Sequence, residues 1–314
     1  MLSEVFWISA QKILSLMGFF VVGYILARGK LLPEDAPQVL SKLLTLLFCP
    51  ALTLNSLAQN LNRQNARSQA GLILAGAVVA VVLVLVTRPM SRALSRGDED
   101  LRGILDYDLI YGNYGYVGYP MIEGVFGAAT LSRFLVYLVP LNVVCYTYGR
   151  MVVEGRKKLS LKFLLSPLSL SLWLGLAIGL LEIRLPAVVT DFLSASGGCT
   201  GPVSMLITGM ILSRTDIPQS FREPRNYLFS ALRLVGLPLA ALLVMLPLGV
   251  RGEPMFFTGV FMCFPFGNNP IVFREAMGRD AQKAAGMTLV SYVFSLVTVP
   301  LMFTLFRSVS GLSG

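Results

Sequence analysis

Gly112-Asn113-Tyr114-Gly115-Tyr116-Val117-Gly118-Tyr119-Pro120 and, further along, Phe264-Pro265-Phe266-Gly267-Asn268-Asn269-Pro270 interrupt two segments that are otherwise apolar and of membrane-crossing length. Both stretches combine proline and glycine with asparagine. A helix in lipid cannot leave backbone groups unsatisfied, so such breaks persist only against protein or a polar cavity. Paired breaks at matching places in two halves of a chain point to a transporter's substrate site. The two stretches predict a secondary transporter.

Outward from these stretches the chain is apolar throughout. Hydrophobic residues make up 55% and charged residues 14%, against about 25% charged in ordinary soluble domains. Ten apolar runs predict ten membrane helices, near 5–27, 37–59, 69–94, 102–126, 133–153, 165–182, 185–212, 227–249, 254–274 and 282–306. The first run is too long for a signal-peptide core and reads as a retained helix. The expected fold is an all-α integral membrane protein in one domain over 1–314, with no separate soluble domain.

The halves repeat. Pro270 follows Pro120 by 150 positions, and Pro202 follows Pro50 by 152. Two units of five spans are expected, about 1–154 and about 165–314, joined by a short linker. Five is odd, so the second unit enters from the opposite side, giving an inverted repeat with broken helices four and nine.

The formal charge of +9 has a topological reading. With ten spans, 17 Lys and Arg residues (Arg150 among them) fall on one side and 6 on the other. The positive-inside rule then puts both termini on the non-cytoplasmic side of a cell (inner) membrane. The basicity needs no nucleic acid. The partners expected are a small solute, the bilayer, a coupling proton or sodium ion, and, as an open case, a second copy in a homodimer.

At the breaks, proline removes a donor and frees a carbonyl, and glycine lets backbones approach. The helix starting after each break presents free N–H groups and a partial positive charge, a seat for a carboxylate. Asn113, Asn268 and Asn269 add uncharged donors and acceptors. With Gly115, Gly118, Pro120, Pro265, Gly267 and Pro270 they form the expected substrate site. Tyr114, Tyr116 and Tyr119 are candidates to line it.

Ionisable residues inside spans are costly and usually functional or paired. Lys12, Glu123 and Asp191 fall in the outer half, Lys42, Arg233, Asp106 and Asp108 in the inner half. Lys12, Glu123 and Asp191 are the coupling candidates: Lys12 can neutralise one acid, Glu123 is expected ionised at a helix start, and Asp191 is the spare acid expected to carry the proton, with a structural pair with Lys12 as its alternative; Asp106, Glu123 and Lys42 are expected to reach toward the interface. Cys49, Cys145, Cys199 and Cys263 read as buried thiols. With no histidine, no paired-cysteine metal spacing and no phosphate-binding glycine loop, neither enzyme chemistry, a cofactor, a metal site nor ATP-driven pumping is expected.

At these motifs the chain resembles the auxin efflux carrier family, which includes the plant PIN carriers and bacterial permeases. The resemblance rests on Pro50-Ala51-Leu52, on Asn113 with Gly118 and Pro120, on Pro265 with Gly267 and Pro270, and on Gly278-Arg279-Asp280. It implies ten spans in two inverted halves, crossover helices four and nine, and organic-anion substrates such as auxin or small dicarboxylates. Plant members often carry an acid and a lysine where this chain has Arg67, Ser68 and Gln69, and a long loop where it has about 155–164. A small bacterial permease is the better match. A sodium-coupled organic-anion symporter of the bile-acid type, or a non-transporting membrane sensor or enzyme, stands as the alternative.

Overall fold

The computed structural model describes residues 2–155 and 165–312. The basic linker residues Arg156, Lys157, Lys158 and Lys162 lie outside the described residues. Among the latter the secondary structure is helical apart from one antiparallel two-residue bridge. In chain order the helices are α1 Leu2–Arg28, α2 Ala36–Leu43, α3 Cys49–Asn60, α4 Arg63–Ser95, α5 Glu99–Asp108, α6 Tyr119–Phe126, α7 Ala128–Val144 and α8 Arg150–Glu154. They continue with α9 Pro167–Leu180, α10 Ala187–Gly198, α11 Thr200–Leu212, α12 Ile217–Arg222, α13 Pro224–Ala231, α14 Leu237–Met245, α15 Gly252–Met262, α16 Asn269–Ala276 and α17 Gln282–Val309.

Among the described residues, seven continuous stretches are long and apolar enough to cross a membrane: Ser3–Arg28, Ala36–Asn60, Gln69–Ser95, Ala128–Val153, Ala187–Leu212, Pro224–Met245 and Gln282–Val309. The sequence predicts ten, and the difference has a local cause. Predicted span 102–126 divides into α5 and α6, and 254–274 into α15 and α16, at the two breaker-rich stretches. Predicted span 165–182 is the 14-residue α9, about 21 Å at 1.5 Å per residue.

Proline leaves a second signature. Wide π turns at Leu44–Phe48, Tyr114–Gly118 and Leu232–Gly236 each end two residues before a proline: Pro50, Pro120 and Pro238. The proline ring lacks an N–H and clashes with the carbonyl four residues back, so the helix widens there by one residue.

Close backbone contact holds α1 against α11. A Cβ on Gly23 would lie 2.2 Å from the Leu206 oxygen, and one on Gly209 would lie 2.0 Å from the Phe20 oxygen. Lipid supplies no hydrophobic drive between helices, so association relies on such close packing. The outward residues are themselves large and apolar, including Trp7, Leu74, Leu85 and Leu174. Deep inside, Phe134, Tyr137, Phe256 and Phe257 stack α7 against α15. The Arg133–Glu253 ion pair, 2.5 Å, fastens the same two helices. Between this aromatic core and α11, the two interrupted segments meet.

Candidate functional site

The first break runs from the end of α5 at Asp108 to the π turn at Tyr114, and the second from the end of α15 at Met262 to Asn269. They touch through backbone. Gly112 and Phe266 pair as an antiparallel bridge, and the Asn113 N–H donates to the Pro265 carbonyl at 2.6 Å. Chain ends that would be orphaned in lipid thus satisfy one another. Ser291 on α17 accepts the Phe266 N–H at 3.0 Å, and Ser204 on α11 donates to the Tyr116 carbonyl at 2.9 Å.

Behind the junction sits Arg233, with no exposed surface. Its Nη1 donates to the carbonyls of Leu109 (2.9 Å) and Ile110 (3.1 Å), its Nη2 to Phe261 (2.9 Å) and its Nε to Phe264 (3.4 Å). One guanidinium therefore serves carbonyls freed at the ends of both α5 and α15. Gly112 makes room for it: a Cβ there would lie 2.6 Å from Nη2. Asp108 is also fully buried, and Arg233 is the charge that acts on it. The Gly267 N–H faces the carboxylate without reaching hydrogen-bond geometry, and neither oxygen has a partner among the described residues.

In front of the junction opens a cavity of about 350 Å³. Of the residues expected at the site, Asn113, Gly115, Gly267, Asn268 and Asn269 line it, together with Tyr114, Tyr116 and Tyr119. Gly118, Pro120, Pro265 and Pro270 do not. Gly118 lies beneath the Phe264 ring, and Pro120 against Gly201. Pro265 lends its carbonyl to Asn113, and Pro270 opens α16. These four shape the backbone.

The three amides differ. Asn113 caps the π turn, accepting from the Tyr116 N–H at 3.2 Å, and donates to the Tyr292 hydroxyl at 2.5 Å. Both its amide groups are thus engaged by protein. Asn268 donates to Thr208 Oγ1 at 2.6 Å while its oxygen has no partner among the described residues. Asn269, half-buried, donates to the Tyr107 hydroxyl at 2.5 Å.

Among the described residues, Arg150 is the charged side chain in the cavity wall, and none of them brings a carboxylate to it. Its guanidinium carbon lies 5.5 Å from the Phe273 ring centre. Sequence reasoning placed Arg150 with the side-defining charges, because it sits at the end of an apolar run. Arg233 carried a clearer signal, a lone arginine deep in an apolar segment.

The outer charges divide into two places. Asp191 lies on the exposed face of α10, which packs on α3, and makes no ion pair with Lys12 among the described residues. Lys12 instead leans over α6, with its ammonium 2.9 Å from where a Cβ of Gly124 would stand, next to Glu123. Asp106 does not reach for an interface. It is buried, hydrogen-bonded by Ser91 and 4.0 Å from Arg102. Lys42 is exposed. Cys49, Cys145 and Cys263 are buried and Cys199 partly so, all four as free thiols.

A family profile described as membrane transport protein matches the chain twice, over residues 8–162 and 147–303. An uncharacterized transporter of Methanothermobacter thermautotrophicus is 24% identical over 312 residues, covering 95% of this chain and 98% of the relative.

Proposed function

We propose, for a chain that belongs to the membrane transport protein family of the auxin efflux carriers, a permease that carries small organic anions, mono- or dicarboxylates, through the cavity at the two breaks. The observation that carries this reading is the cavity's composition. Two interrupted segments supply amide groups and helix starts, and the charge in the wall is a cation, Arg150. Helix starts favour anions, and a low-dielectric wall strengthens a single positive charge. The volume fits a small molecule.

In this reading the chain has ten spans as two inverted five-span halves. The α5–α6 and α15–α16 segments are the fourth and ninth spans, and both termini lie outside the cell membrane. Alternating access moves the substrate past Asn113, Asn268 and Asn269. Glu123 beside Lys12 is the nearer set for a coupling proton; Asp191 lies apart from it.

The deciding experiment is counterflow in proteoliposomes with labelled mono- and dicarboxylates, with and without pH and sodium gradients. Carboxylate exchange that Arg150→Gln weakens supports the reading. Exchange of neutral or cationic solutes, with carboxylates inert, overturns it.

A further inference from the structure

Helices broken inside a membrane leave carbonyls at their C-terminal ends with partial negative charge and no intrahelical partner. Cation-coupled transporters of this build meet such carbonyls with a bound ion. Here the carbonyls of Leu109, Ile110, Phe261 and Phe264 all meet the guanidinium of Arg233. The arginine is enclosed completely, and Gly112 is shaped to admit it. Alongside lies Asp108, a fully buried carboxylate to which no group among the described residues donates a hydrogen bond.

We propose that Arg233 is a built-in cation, filling at the junction of the two breaks the position a coupling metal ion would otherwise take. The cavity then loads its anion without sodium. Removing the guanidinium leaves the carbonyls of Leu109, Ile110 and Phe261 around one emptied space, with the buried acid Asp108 acting on it electrostatically. Such an all-oxygen set suits a hard cation. Arg233 is thus a positioning residue: it holds both breaks in register from behind and does not line the substrate cavity.

The consequence for coupling rests on the transport reading, but the cation itself is tested separately. Thermal unfolding of the purified, full-length protein is measured in sodium, potassium, choline or low-millimolar guanidinium chloride at one ionic strength. Wild type melts alike in sodium and choline. Arg233→Ala melts earlier, and sodium or guanidinium, but not choline, restores a saturable part of the loss. Arg233→Ala joined with Asp108→Asn no longer responds to sodium, because the acid that acts on the emptied space is gone.

In proteoliposomes, wild-type uptake is the same in sodium and choline. Arg233→Ala loses roughly tenfold or more, as expected for several charge-assisted hydrogen bonds, and regains uptake with guanidinium. Arg233→Lys keeps an intermediate rate. Sodium-dependent melting or uptake of wild type overturns the proposal, as does an Arg233→Ala protein indifferent to both sodium and guanidinium. If that variant does not fold, the wild-type sodium comparison still decides. If wild type carries no carboxylate at all, the transport reading fails while the melts still judge Arg233.

Discussion

Replacing Gly112 by alanine puts one methyl group where the two breaks and Arg233 converge. The new Cβ would stand 2.6 Å from Arg233 Nη2, 2.6 Å from the Phe264 oxygen and 2.9 Å from the Pro265 oxygen. Two of these neighbours are backbone and cannot swing aside. Moving the Pro265 carbonyl strains its 2.6 Å bond from the Asn113 N–H, and moving the guanidinium strains its 2.9 Å bond to Phe261. Overpacking of this kind costs about 1–3 kcal/mol, and one charge-assisted hydrogen bond about 1.5–3 kcal/mol more. The sum, roughly 2.5–6 kcal/mol, lowers the melting temperature of a 314-residue chain by on the order of 4–9 °C on the scaling of soluble domains. Gly267→Ala and Gly115→Ala are internal controls. The first finds its nearest atom at 3.9 Å and the second nothing within 4 Å, so both stay within about 0.5 kcal/mol of wild type. Gly115→Ala, whose methyl enters the cavity, raises KM without moving Tm. Differential scanning fluorimetry in detergent reads all three; a Gly112→Ala protein melting with its two controls refutes the packing argument.

Arg150→Gln should raise the KM for anionic substrate by roughly tenfold or more, the worth of one charged hydrogen bond, with Tm unmoved; an unchanged KM removes Arg150 from the site. Asn113→Ala should lose uptake and also about 1 kcal/mol of stability, since the residue caps a turn, whereas Asn269→Ala should lose uptake alone. At the start of α5, the Leu101 N–H and then Lys283 hold the N-cap Asp98 below its ordinary value of 3.8, and Arg274 does the same for Asp100 in the first turn. Both folded values are depressed, so their stabilisation is present above the ordinary value and lost as pH falls through the lower folded ones. Melts from about pH 6 down to about pH 3 should show this loss, reduced in Asp100→Asn. Asp191→Asn should leave the pH profile of uptake unchanged, given its exposed position on α10; a flattened profile would return it to the coupling path.

The breaks were legible because proline and glycine act locally: Pro120 and Pro270 interrupt their segments whatever surrounds them. The same locality made Asn113 and Asn269 visible, since an asparagine beside a breaker in an apolar run has few other uses. What lay beyond the sequence is which break residue turns toward the cavity. Gly115 and Gly118 read alike, yet one faces open space and the other a phenyl ring. The charges misled for a related reason. Position along a span gives depth but not azimuth, so Asp191 and Lys12 shared a level while lying on helices that do not pair. Arg150 shows the converse, a residue counted as a boundary marker whose side chain reaches inward. The length of α9 was obscured by the apolar residues on either side of it.

The bridge between Gly112 and Phe266 has a kinematic meaning. The two segments it joins are far apart in the chain, yet they share backbone hydrogen bonds as neighbouring strands do. Any displacement of one relative to the other must first part that pairing, and the Arg233 bonds behind it, on a side with no exposed surface. The cheaper course is for both to travel as one rigid knot while bending occurs elsewhere. The places already loosened for bending are the π turns at Leu44–Phe48 and Cys145–Gly149, where the helices stay continuous but wide. The centre of the molecule is then its stiffest element, and its compliance is distributed around that centre.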